Sequence, residues 1–120
     1  LLVLILFGLY ALGGGLTAKP EPAPPPAPDL APELVAKCAA AIEQAARIGL
    51  VRERPAPNRI NVDEVLWAQL PASTKDQTMQ FVACARWRKA MPPPGEYVVA
   101  YGWRSGRRLW MLTEAGMLRE

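Results

Sequence analysis

The stretch EYVVAYGWRSGRRLWMLT, residues 96–113, decides the fold. Two runs rich in aromatic and β-branched residues flank Ser105-Gly106, a pair suited to a tight turn. Residues 96–103 and 107–113 therefore read as two antiparallel strands. Immediately upstream, Pro92-Pro93-Pro94-Gly95 ends whatever precedes them.

That preceding element is a helix. Met79, Phe81, Val82, Ala83, Cys84, Ala85 and Trp87 cover more than one helical stripe, so it is expected to pack on several sides. Ser73 or Thr74 reads as its cap and Ala90 as about its end. Before it, Asp63 looks like the N-cap of a short helix carrying Val65, Leu66, Trp67 and Leu70, interrupted by Pro71. Residues 50–54 (LVRER) and 59–62 (RINV) alternate apolar and polar, and Pro55-Ala56-Pro57-Asn58 between them reads as a turn. Leu34, Val35, Cys38, Ala41, Ile42 and Ala45 recur at three- and four-residue steps and predict a helix over 33–48, with Asp29 or Pro32 at its start and Gly49 as its stop. The order is helix, short hairpin, helices, long hairpin, without βαβ alternation. It predicts an α+β domain over 33–120, two main helices packed on a short antiparallel sheet.

Outward of that domain the composition changes. Residues 1–16 (LLVLILFGLYALGGGL) carry no charge. A bilayer core takes about 20 apolar residues as helix, so 1–18 is a short transmembrane signal anchor in this reading. The rival is a signal peptide cleaved near Leu16-Thr17-Ala18. Seven of the thirteen residues 20–32 (PEPAPPPAPDLAP) are proline. Proline fixes φ and lacks an N–H, so 19–32 reads as a stiff polyproline II spacer, about 40 Å if fully extended. The expected topology is single-pass in an inner membrane, with membrane lipid around 1–18 and the C-terminal domain on the periplasmic side.

Asn61-Val62-Asp63, Val65-Leu66-Trp67, Leu70, Lys75, Ala83-Cys84-Ala85, Ser105-Gly106-Arg107 and Leu109 together form a spacing pattern over roughly residues 40–116. It resembles a small uncharacterised bacterial α+β domain, in which a Trp-containing turn leads into a Lys-bearing helix and a Ser-Gly-Arg hairpin follows. The resemblance implies a fold and carries over no active site.

The chain has 120 residues, a formal charge of +3, no histidine and two cysteines. Without histidine, the commonest general base and the commonest metal ligand are missing. Cys38 and Cys84 lie far apart on two predicted helices, so they form no CxxC redox motif. One reading is a structural disulfide, which requires an oxidising compartment; the other is a pair of buried thiols acting as small apolar residues. The exported topology favours the disulfide. Asp63 and Glu64 read as helix-start residues favoured by the macrodipole. No phosphate-binding glycine loop occurs. Catalysis, a cofactor and a metal site are not expected, and a charge of +3 falls short of a dedicated nucleic-acid binder.

The surface feature of interest is the hairpin, where Trp103, Arg104, Arg107, Arg108 and Trp110 gather about the turn. Tryptophan and arginine are the residues most enriched at interface hot spots. The competing reading is a solvated turn with its tryptophans in the core. The function expected is that of a non-catalytic accessory subunit, contacting integral membrane protein subunits of a larger complex. A photosynthetic or respiratory assembly is the first host to consider. The alternative is a stand-alone envelope binding module using the Trp/Arg hairpin.

Overall fold

A computed structural model describes residues 28–119. Helix α1 spans Pro32–Arg47 and is followed by strands β1 (Val51–Ala56) and β2 (Arg59–Val62). Helices α2 (Glu64–Gln69) and α3 (Ala72–Trp87) come next, then β3 (Tyr97–Gly102), β4 (Arg108–Thr113) and β5 (Gly116–Arg119). The domain is α+β, as expected. Among the described residues no helix is long and apolar enough to cross a membrane. The expected anchor over 1–18 lies outside the described residues, as does the spacer up to residue 27.

The local signals act where the chain places them. Proline at the first helical position starts α1, with Ala31 as N-cap. Asp29 instead accepts a 2.7 Å hydrogen bond from Lys89 Nζ, and the Leu30 N–H donates to Arg88 O at 2.8 Å. Gly49, at φ +86°, follows the end of α1. Asp63 caps α2 by accepting from the Val65 and Leu66 N–H groups, both at 3.0 Å. Pro71, not Ser73 or Thr74, stands at the N-cap of α3, and that helix stops at Trp87 because Arg88 turns left-handed.

The sheet differs from the expected antiparallel one. It has five strands in the order β1-β2-β3-β4-β5, and β2 pairs with β3 in parallel, with Val62 opposite Gly102. The other three pairings are antiparallel. The parallel pair needs a crossover, and the α2–α3 segment supplies it. A βαβ unit is therefore embedded between the two hairpins. Strand β5 was not anticipated; it is four residues long and turns back after Glu114-Ala115. Edge strand β1 carries Pro55 and two breaks of register, in keeping with the confinement of proline to edges.

The core lies between the two long helices and one face of the sheet. Alternate strand residues supply it: Ile60 and Val62, Val98 and Ala100, Trp110 and Leu112. Ile42 from α1 and Met79, Val82 and Ala83 from α3 close it from above. A disulfide joins Cys38 to Cys84, with Cα atoms 6.1 Å apart, and so pins α1 directly on α3. Both cysteines are buried.

Candidate functional site

Parallel pairing of β2 with β3 brings the start of α2 beside the turn that leaves β3. The Trp103 N–H donates to Val62 O at 2.8 Å, so the turn after β3 hangs from the end of β2. The five residues Trp103 to Arg107 span from β3 to β4, wider than the tight turn expected at Ser105-Gly106. Glu64 fills this loop from below. Its carboxylate accepts from the Arg104 N–H at 2.8 Å and from the Ser105 N–H at 3.1 Å. The Ser105 hydroxyl first, then the Arg104 N–H, hold that carboxyl below the usual range, outweighing an opposing effect of burial. Gly102 makes room for it: a Cβ there would lie 2.5 Å from Glu64 Oε2 and 2.6 Å from Ser105 Oγ.

Above this latch sits Trp103, 38 % exposed. The Arg52 guanidinium from β1 stacks over its ring at 4.3 Å, and Arg104 lies 5.8 Å from the same ring. Arg52 also approaches Asp63 Oδ2 at 3.7 Å. Val65 and Leu66, on the first turn of α2, are exposed apolar neighbours. Together with Asp63 and Glu64 these residues line an open cleft of about 500 Å³, within the range of small-ligand and side-chain sites.

The expected hairpin cluster is thus divided. Trp103 and Arg104 belong to the cleft, and Arg107 is exposed on the same loop. Arg108 is exposed on β4, its Nη1 4.0 Å from Met111 Sδ. Trp110 is buried, edge-on to Trp67 with ring centroids 6.0 Å apart. Its Nε1–H donates to Asp76 at 2.8 Å, and Asp76 in turn accepts from Arg119 at 2.7 Å. Burial raises the Asp76 pKa, but the hydrogen bonds from Trp110 and Arg119 outweigh it and leave that carboxyl below its ordinary value. Lys75 Nζ completes this second cluster, 4.9 Å from the Trp110 ring and 6.0 Å from that of Trp67. Trp67 of α2, Lys75 and Asp76 of α3 and Trp110 of β4 thus form one structural unit.

Three residues of the cleft escape sequence reading. Arg52 sits in a run that looks like any edge strand, and only the β1-β2-β3 order carries it to Trp103. Val65 and Leu66 read as part of the same short apolar helix as Trp67; of these three only Trp67 turns inward. The cleft offers guanidinium groups, an aromatic face and exposed aliphatic carbons, groups of the kind enriched at binding hot spots. No known protein family, curated protein or solved structure matches the chain.

Proposed function

We propose that this protein is a non-catalytic accessory subunit of a membrane complex, tethered by its N-terminal segment and docking through the domain described above. The observation that carries the reading is Trp103, exposed and stacked with Arg52 and Arg104 beside Val65 and Leu66. Tryptophan and arginine held rigid at a surface lose little entropy on binding, which makes them efficient docking anchors. The Cys38–Cys84 bond supports a periplasmic domain, since such bonds persist in oxidising compartments. The apolar sequence of 1–18 supports an inner-membrane, single-pass anchor, and the prolines ahead of Asp29 a spacer.

The test is native gel electrophoresis of the tagged full chain after mild solubilisation, with mass spectrometry of what migrates beside it. Co-migration with integral membrane subunits is expected. A chain that runs alone under every mild detergent overturns this reading in favour of a stand-alone envelope module, for which the open cleft speaks.

A further inference from the structure

The position of the cleft within the domain carries more than its composition does. The chain comes into the described domain at Asp29 and Leu30, which are bonded to Lys89 and Arg88 at the C-terminal end of α3. From there α1 runs 16 residues, about 24 Å at 1.5 Å per residue. At its far end the Leu50 N–H donates to Ala45 O, the Asp63 N–H to Leu50 O at 2.8 Å, and the Trp103 N–H to Val62 O at 2.8 Å. This chain of bonds ties the end of α1 to the start of α2 and the turn after β3. The cleft is therefore at one pole of the domain and the incoming chain at the other.

The charges of the cleft are sorted as well. Both of its carboxylates are engaged from within: Asp63 caps α2 and meets Arg52, and Glu64 is held by the Arg104 and Ser105 N–H groups. The Arg52 side chain is 40 % exposed and held against the Trp103 ring. Val65 is 68 % and Leu66 37 % exposed beside them. Asp63 reaches Arg52 only at 3.7 Å, an ion pair longer than a hydrogen bond, so the cleft offers exposed guanidinium groups next to an apolar shelf. Planar guanidinium groups on a rigid support match a carboxylate in two parallel hydrogen bonds.

We infer that the cleft takes a segment of a partner protein in which an aspartate or glutamate is flanked by apolar residues, the carboxylate reaching Arg52 and Arg104 and the apolar side chains resting on Val65, Leu66 and Trp103. The inference deepens the accessory-subunit reading and rests on it. The pole-to-pole arrangement favours a protein over headgroups of the membrane proposed to anchor the chain, because the cleft lies at the end of the domain opposite the incoming chain.

The test places a benzophenone side chain at Val65 of the full chain in its native membranes, with a second variant carrying it at Glu33, near the opposite pole. After irradiation, the expected Val65 adduct is a partner peptide with Asp or Glu within a few residues of the crosslink. Adding Arg52→Gln and Arg104→Gln should cut its yield about tenfold or more, as expected for the loss of charge-assisted hydrogen bonds. The Glu33 adducts and the Cys38–Cys84 bond should be unchanged, which shows that the double substitution leaves the domain folded. A Val65 adduct with lipid overturns the inference. So does a partner peptide without acidic residues, or a yield indifferent to the arginines. If Val65 captures nothing while the chain still co-migrates with a complex, the cleft inference falls and the accessory reading stands. If the chain co-migrates with nothing, both fall.

Discussion

Gly102 shows how much a single position controls at the cleft. Its missing Cβ is the space that the Glu64 carboxylate occupies. Gly102→Ala is expected to expel that carboxylate, to free the Arg104 and Ser105 N–H groups, and to cost about 1–3 kcal/mol, as overpacking does. Glu64→Gln should loosen the same turn without the steric conflict. The double variant should lose less than the sum, because both changes break one latch. Hydrogen exchange at Arg104 and Ser105, with urea midpoints for the three variants, checks this; full additivity would mean that the two residues act separately. At this scale the sequence was half legible. Glu64 reads as a helix-start acid, which it is, but its second partner lies across the parallel pairing and leaves no local trace. Trp103 and Trp110 look equivalent about Ser105-Gly106. Trp110 lies opposite Ala100 on the buried face of the regular ladder, whereas Trp103 falls in the five-residue loop beyond the register shift between Ala100 and Tyr101.

Among the elements, α1 and α3 were legible because apolar spacing and punctuation agree: Pro32 and Gly49 bound one, and Pro71 and the proline run from Pro92 bracket the other. Strand β5 was hidden because four residues after a turn carry too little pattern to be told from a tail. The parallel pairing was hidden because period-2 alternation says that a strand exists, not which neighbour it finds. The disulfide couples the two legible helices across a separation of 46 residues. The chain-entropy estimate for such a loop is about 4 kcal/mol, a figure that engineered bonds often fail to reach. Reduction should therefore lower the melting temperature by at least several degrees for a domain of this size. The Cys38→Ala, Cys84→Ala variant should melt low from the start and ignore reductant. Equal melting of the wild type with and without reductant would show that the bond adds no stability.

Over the whole molecule, the described carboxylates with displaced titration all move in the same direction. Asp29 beside Lys89, Glu64 in its turn and Asp76 under Trp110 each sit below the ordinary carboxylate value. A depressed folded pKa means that the unfolded chain binds protons more readily, so the stabilisation is present above the unfolded value and is lost as pH falls. Stability should hold from neutrality to about pH 5 and then decline through the acid range. Asp76→Asn keeps an acceptor for Trp110 but removes the charge. It should cost about 1–2 kcal/mol at pH 7, given the partial exposure of Arg119. The difference from wild type should shrink as pH falls toward 3. Urea midpoints at pH 7, 5 and 3 measure it, and a constant difference would remove Asp76 from the acid response.

The parallel seam between β2 and β3 also sets the order in which the chain assembles. Residues 51–62 and 97–119 are each built from near neighbours, and hairpins of that kind close in microseconds. Joining them into one sheet requires Val62 to meet Gly102 across the whole α2–α3 segment, so the chain gives up a long loop's freedom before the shared core repays it. Contacts between residues so distant along the chain are what slow folding. The joining of these two segments is therefore the step expected to be slow, and the cleft, lined by Arg52 of the first, the start of α2, and Trp103 and Arg104 of the second, exists only after it.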